Sequence, residues 1–257
     1  MQELAGQIAI ITGGAGYIGS TIAGKFASEG AAGIILMDVR KEPLEAVRKQ
    51  LEETGTQVRT YALDLKDYSA VEKAVQEVNA EFGKIDILVT CAGGSAREKM
   101  RPFIEQDLSV LHDVIDMNLY GALHPIRAVA PLMVARKYGK IVNIGSAVGV
   151  VGLPGCLDYG AAKAGVIGMT RTLAMELGYH NINVNCISPG PVLRPGVPCP
   201  DEKAYARRVS FFERKCVAED IAEAVYFMTQ PGSSYINGQN LCVDGGRTMC
   251  LKGECYS

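Results

Sequence analysis

Thr12-Gly13-Gly14-Ala15-Gly16-Tyr17-Ile18-Gly19 follows the apolar run Ile8-Ala9-Ile10-Ile11 and leads into an amphipathic stretch over 17–29. The spacing G-x-G-x-x-G, set between a strand candidate and a helix candidate, lets the chain turn tightly and brings its backbone close to a pyrophosphate. The start of the following helix presents N–H groups that have no partner inside the helix. On its own the pattern marks many plain turns. Here the next apolar run, Ile34-Ile35-Leu36-Met37, ends on Asp38, a carboxylate placed to accept hydrogen bonds from an adenosine ribose and to repel a 2′-phosphate. Strand, glycine turn, helix and acid together predict a dinucleotide cradle.

Outward from that unit the same rhythm continues. Strand candidates lie at 8–12, 33–38, 57–63, 86–90, 140–145, 182–187 and 240–243, with amphipathic stretches near 17–29, 42–54, 68–82, 103–136, 158–178 and 218–229. The clearest runs, such as Ile141-Val142-Asn143-Ile144, barely alternate, as strands buried on both faces do. Seven strands separated by helices predict an α/β fold: a Rossmann-like, doubly wound parallel seven-stranded sheet with helices on both faces. No linker, repeat or low-complexity segment interrupts residues 1–257, so one domain is expected. The exception to the rhythm is 191–200, with four prolines in ten residues, which cannot be regular helix. Because it follows the strand at 182–187, at the edge where such sheets bind ligands, 191–215 is expected to be a lid over the substrate.

Composition narrows the function classes. A hydrophobic share of 48% excludes a disordered chain, and a net charge of -2 gives no basic field for nucleic acid and no polybasic membrane anchor. No apolar run approaches the roughly 20 residues of a membrane helix, and Met1 to Gln7 lacks the form of a secretory signal, so a cytoplasmic protein is expected. Eight cysteines without a C-x-x-C pair and only three histidines predict no metal site. Cys186 and Cys242 sit in apolar runs as small core residues; Cys250 and Cys255 in the tail are expected to be reduced.

Downstream, Ser146 stands thirteen residues before Tyr159, and Tyr159 four before Lys163 in a helical pattern. Residues one turn apart share a helix face about 6 Å from each other. A positive charge at ~6 Å favours a phenolate by about 2.8 kcal/mol at an effective dielectric of ~20, which draws a phenol toward acid–base work. Ser146, just after a central strand, is placed to donate to and polarise a carbonyl oxygen. The Y-x-x-x-K pair alone is often a surface pair; its position after a Gly/Pro-rich loop and the accompanying serine raise its weight.

With these residues in place, the chain resembles the short-chain dehydrogenase/reductase family, single-domain branch, over essentially its whole length. The matching positions are Thr12-Gly13 through Gly19, Asp64-Leu65, Ala92-Gly93, Asn118 in Met117-Asn118-Leu119, Ser146, Tyr159-x-x-x-Lys163, Pro189-Gly190 and Val243-Asp244-Gly245-Gly246. The resemblance implies that Tyr159 is the general acid/base, that Ser146 orients the carbonyl, that Lys163 binds the nicotinamide ribose and lowers the tyrosine's pKa, and that Asn118 holds a water in a proton relay. For the cofactor it implies Gly13, Gly14, Gly16, Tyr17, Ile18 and Gly19 at the phosphates and Asp38 and Val39 at the adenosine ribose. Asp64, which also reads as a plain turn aspartate, and Leu65 are expected near the adenine. Cys91, Ala92 and Gly93 are expected along the cofactor, with Pro189, Gly190 and Val192 beside the nicotinamide.

The implied activity is hydride transfer between NAD(H), with NADP less favoured, and a small-molecule secondary alcohol or ketone. An NADPH-dependent 3-oxoacyl reductase and a hydroxysteroid dehydrogenase are alternatives within the class. A nucleotide-sugar epimerase is suggested by the T-G-x-x-G-x-x-G spacing with Tyr17, although 257 residues leave little room for a substrate lobe. A non-catalytic nicotinamide sensor would not need the full Asn118, Ser146, Tyr159 and Lys163 set. The chain departs from the family pattern at Thr90-Cys91, where an asparagine pair is usual and a stabilising hydrogen bond is expected to weaken. It departs again at Arg194, where a threonine commonly meets the nicotinamide amide, and in the tail 247–257. Small residues Ala161, Ala162, Ala164, Gly165 and Gly168 on the helix at 158–178 let another helix approach closely, and the resemblance, whose members pair this helix and the one at 118–136 across two-fold axes, implies a homotetramer, or failing that a homodimer. Arg97, Lys99, Arg101, Arg194, Arg207 and Arg208 are expected to border the cleft and suggest an anionic group on the substrate, equally readable as solvated surface charge.

Overall fold

The computed structural model describes residues 3–249. Its strands are β1 (Ile8–Thr12), β2 (Gly33–Asp38), β3 (Gln57–Ala62), β4 (Ile87–Thr90), β5 (Gly139–Ile144), β6 (Ile182–Pro189) and β7 (Asn240–Val243). They form one seven-stranded sheet in the order β3-β2-β1-β4-β5-β6-β7, and every pairing is parallel. Alternation explains why the strands read as unbroken apolar runs. In β1 and β2, Ala9, Ile11, Ile34 and Leu36 enter the core on one face, whereas Ile8, Ile10, Ile35 and Met37 enter the core on the other. Each face needs its own apolar set, so each strand supplies both.

The helices that cover these faces are α1 (Tyr17–Ser28), α2 (Lys41–Glu52), α3 (Tyr68–Phe82), α4 (Leu108–Ile115), α5 (Gly121–Arg136), α6 (Ala147–Val151), α7 (Leu157–Gly178), α8 (Glu202–Val209) and α9 (Ala218–Thr229). Ile22 and Phe26 of α1 and Ile221 and Val225 of α9 fill the first core. Val71 and Val75 of α3 and Ile126 and Val129 of α5 fill the second. Among the described residues no helix is long and apolar enough to cross a membrane.

The amphipathic stretch expected over 103–136 is not one helix. Asp107 caps α4 by accepting from the Ser109 N–H at 2.8 Å, so the helix begins after it. The segment Asp116–Tyr120 then winds as a π turn before α5. Such an inserted turn re-aims the residues it carries and is common at functional sites. Asn118 lies within it, fully buried.

The sheet also fixes where a ligand fits. From β1 the chain winds outward through β2 and β3, then returns to lay β4 against the other side of β1. Thr12 is in register with both Met37 and Thr90. The glycine turn after Thr12 therefore leaves the sheet at the strand-order reversal, over the carboxyl ends where open α/β sheets bind ligands.

Candidate active site

The cradle depends on glycine where the sequence places it. Gly13 has φ +68°, and a Cβ on it would lie 2.8 Å from the Ala92 Cα and backbone nitrogen. A Cβ on Gly14 would lie 2.8 Å from the Leu36 Cβ, and one on Gly19 would strike the Gly13 carbonyl. The glycine loop is thus pressed between β2, β4 and its own first turn. Gly16, the N-cap of α1, contributes no side-chain cap, and no acid occupies the first turn. The N-terminal end of α1 is left to an anion, as a pyrophosphate requires. Thr12 holds the far wall, its hydroxyl oxygen accepting from the Cys91 and Ala92 N–H groups at 3.1 and 3.2 Å. These features fit a dinucleotide.

Asp38 is buried at the end of β2, and its two oxygens are already engaged. Oδ1 accepts from the Arg40 backbone N–H and from Arg40 Nε, both at 3.0 Å. Oδ2 accepts from Arg40 Nη2 at 3.0 Å and from the Ala15 N–H at 3.2 Å. Burial pushes this carboxyl up, but hydrogen bonds from the Arg40 side chain and backbone outweigh it and hold the group below its ordinary value. The two residues do share one side, as strand geometry suggests. Arg40 is not loose, however; it chelates the acid from a position 53% exposed to solvent. Val39 beside them is exposed. Asp64 is exposed and accepts from the Lys66 N–H at 2.9 Å, the hydrogen bond of a plain turn aspartate. Leu65 turns its side chain into the core, and its carbonyl oxygen lies 2.8 Å from His124 Nδ1.

At the other end, Lys163 is buried in α7, with Nζ donating to the Ile144 carbonyl at 2.8 Å and lying 5.8 Å from the centre of the Tyr159 ring. Burial pushes the lysine below its ordinary pKa. Ser146, the N-cap of α6, accepts from the Val148 N–H at 3.1 Å. The two elements meet closely because Gly149 lets α6 approach α7; a Cβ there would lie 2.7 Å from the Lys163 carbonyl carbon. Asn118 donates from Nδ2 to the Gly94 and Val114 carbonyls at 2.9 and 2.8 Å and accepts from the Gly94 N–H at 3.0 Å. Gly93 sits between these groups: a Cβ on it would press on Asn118 Oδ1 and lie 3.4 Å from Lys163 Nζ. Burial pushes the neighbouring Cys91 thiol up to about 12, so it faces the site as a neutral group.

The expected weakening at Thr90-Cys91 is offset. The Thr90 hydroxyl donates to Asn143 at 2.7 Å, and Asn143 donates onward to Thr170 at 2.9 Å, a buried chain tying β4, β5 and α7. Pro189 ends β6, and Gly190, just after it, passes so close to Asp244 that a Cβ on it would lie 2.9 Å from the Asp244 Cα. Val192 forms a parallel bridge with Cys216. The segment 191–200 is irregular as expected, but 191–215 also contains α8, capped by Asp201 accepting from the Ala204 N–H at 2.8 Å. Several of its cations are paired: Arg207 with Glu213, Arg214 with Asp220 at 2.7 Å and Lys215 with Glu202 at 3.1 Å. A cavity of about 380 Å³ lies between this segment and the loop after β7, lined by Pro191, Phe212, Asp244 and Gly245. It adjoins Gly190 and does not include Tyr159.

Two residues that the sequence reading passed over also stand here. Asp158, immediately before Tyr159, is buried, and Gln106 donates to it at 2.7 Å. An acid in the first turn of a helix was the signal available. Cys91, Cys186, Cys199, Cys216 and Cys242 are free thiols. The Arg97 side chain and residues 250–257, with Cys250 and Cys255, lie outside the described residues. Among the described residues no cluster of three His, Cys, Asp or Glu could hold a metal ion.

Comparison with known proteins agrees with this geometry. A family model described as enoyl-(acyl carrier protein) reductase matches residues 13–248. A 3-oxoacyl-acyl-carrier-protein reductase, FabG, of Thermotoga maritima is 37% identical over 246 residues, covering 95% of this chain and 98% of its own. A hydroxy(phenyl)methylsuccinyl-CoA dehydrogenase subunit, BbsD, of Thauera aromatica is 36% identical over 95% of this chain and 97% of its own. Among solved structures, carveol dehydrogenase from Mycobacterium avium in complex with NAD superposes with a TM-score of 0.90 at 29% identity, covering 96% of this chain and 99% of that one.

Proposed function

The chain belongs to the short-chain dehydrogenase/reductase family, and from that premise we propose that it interconverts a secondary alcohol and a ketone with NAD(H), using Tyr159 as general acid/base. The observation that carries this reading is the buried Lys163 ammonium one turn below the Tyr159 ring, 5.8 Å from its centre. When bound, the nicotinamide gives or takes the hydride at the carbon that bears the oxygen. Tyr159 gives or takes the proton at that oxygen, and Lys163 favours the phenolate form. Ser146 accepts from the Val148 N–H, and its own hydroxyl proton remains to be donated to the substrate oxygen, polarising it. Both Nδ2 hydrogens of Asn118 are committed to carbonyls. Its side chain therefore fixes the turn and leaves one Oδ1 lone pair for a relay water. Gly13, Gly14, Gly16 and Gly19 hold the phosphates, Asp38 and Val39 the adenosine ribose, and Gly93, Lys163, Pro189, Gly190 and Val192 the nicotinamide half.

Preference for NAD(H) rests on Asp38, which ends a fixed strand. Each charge of a 2′-phosphate at ~4 Å from it costs about 4 kcal/mol at an effective dielectric of ~20. Half of one such contribution surviving gives a preference of at least about 30-fold. Arg40 supports a second reading, an NADPH-dependent reductase of 3-oxoacyl groups, the substrate class in the Thermotoga relative's name, because its guanidinium is near enough to meet the phosphate instead. Initial rates with NADH and NADPH against steroid, acyl-thioester and sugar ketones decide between them. Equal use of both cofactors with acyl thioesters preferred would replace the first reading by the second.

The segment 191–215 is the substrate lid in this reading, and the cytoplasm, where free thiols persist, is the setting. A homotetramer is favoured by the outer faces of α5 and α7. Ala162 turns into the core, but Leu123, Met175 and Tyr179 are exposed, as are Ala161, Ala164 and Gly168. Light scattering at micromolar concentration tests this, and a monomer refutes it.

A further inference from the structure

Three contacts stitch the segment before α4 onto the chain that precedes Tyr159. Cys156 Sγ lies 3.4 Å from Met100 Sδ. Gly155 faces Arg101, where a Cβ would come within 3.6 Å of the Arg101 carbonyl oxygen. The third contact is polar and enclosed: Gln106 Nε2 donates to Asp158 Oδ2 at 2.7 Å, while Asp158 Oδ1 accepts from the Tyr159 N–H at 2.7 Å. Asp158 is only 3% exposed, so neither bond is a solvent-facing accident. Its charge also sits in the first turn of α7, where it meets the positive end of the helix.

The cost of this arrangement is visible. Gln106 Oε1 is, among the described residues, the one buried side-chain oxygen or nitrogen without a hydrogen-bond partner. Leaving a buried acceptor unpaired costs about as much as a charge-assisted hydrogen bond returns. Turning the amide over would face its oxygen to a carboxylate, so the carboxylate dictates the orientation. The same segment is tied at its other end to Asn118 through Gly94. The Gln106–Asp158 bond therefore joins the element carrying Asn118 to the first turn of the helix carrying Tyr159.

We propose that Gln106 and Asp158 are positioning residues: their bond sets the first turn of α7 and so the placement of the Tyr159 hydroxyl against the substrate. This rests on Tyr159 being the acid/base, and the test separates the two claims. Gln106→Glu sets two carboxyls face to face, so the hydrogen bond from the amide is lost and the pair must either repel or share a proton taken up at lower pH; assayed at about pH 8–9, it repels. Adding Asp158→Asn rebuilds the bond with the polarity reversed, the new amide donating to the new carboxylate while its oxygen keeps the Tyr159 N–H. The expected result is a fall in kcat of at least about 10-fold in Gln106→Glu, with NADH affinity within about 2-fold of wild type. Amide-exchange protection over 157–160 should fall with it. The double variant should recover kcat to within about 3-fold and regain the protection. Should the single Glu variant fail to fold, Gln106→Ala, which adds no charge, is expected to lower kcat at least about 3-fold with the same loss of protection. Wild-type kcat in a folded Gln106→Glu or Gln106→Ala variant, or no recovery in the double variant, overturns the proposal. If exchange follows this pattern while Tyr159→Phe remains fully active, the acid/base reading falls and the catalytic half of the proposal falls with it.

Discussion

The two ends of the cofactor groove are prepared to different degrees. At the nicotinamide end the groups are buried and already bonded: Lys163 to Ile144, Asn118 to Gly94 and Val114, Ser146 to Val148. At the proposed adenosine end, Asp38 is occupied by the arginine two residues on, and in that reading a ribose displaces the half-solvated side chain. In the proposed reading, chemistry rests on buried, bonded groups, and cofactor choice on a pair of which Asp38 is buried and only Arg40 is half-exposed.

The largest effect that would sharpen this contrast belongs to Lys163. Replacing it by Met keeps most of the volume and removes the charge, and turnover is expected to fall about 10²-fold, the equivalent of about 2.8 kcal/mol at ~6 Å. Steady-state rates with saturating NADH measure it; a loss below about 5-fold would mean the ammonium does not act on the phenol. Next in size is Asp38→Ala. The expected preference of at least about 30-fold for NADH should collapse toward unity, with NADH weakened and NADPH admitted. An undiminished preference in the kcat/KM ratio would move the determinant elsewhere. Smallest is Arg40→Ala, which removes the side-chain donor from each Asp38 oxygen and leaves the backbone bonds from Arg40 and Ala15 in place. NADH affinity by fluorescence titration should tighten about 3-fold, a small effect because the arginine is half-exposed. Weaker NADH binding would show that Arg40 serves the cofactor itself and that the two ends are alike after all.

Much of the fold and of the glycine turn is legible in the sequence. The strands were readable because parallel strands covered on both faces need apolar residues at every position, as Ile34 through Met37 show. The glycine turn was readable because backbone approach leaves a mark in the sequence that a side chain does not. The stretch at 103–136 misled because the helical period survives a π turn and the Asp107 cap lies within an amphipathic pattern. Asp38 and Arg40 could be placed on one side of the strand, but not bonded to each other, since a chelating rotamer has no sequence signature. Gln106 was invisible for a related reason: its partner lies 52 residues away, and one glutamine at a helix start looks like any other.

The central claim is that Tyr159 transfers the proton while the cofactor site stands independently of it. Tyr159→Phe removes the hydroxyl and leaves the ring, so ketone reduction and NADH binding should be measured on the same preparation. Turnover is expected to fall by at least about 10²-fold, with the NADH dissociation constant within about 3-fold of wild type. Turnover near wild type would contradict it.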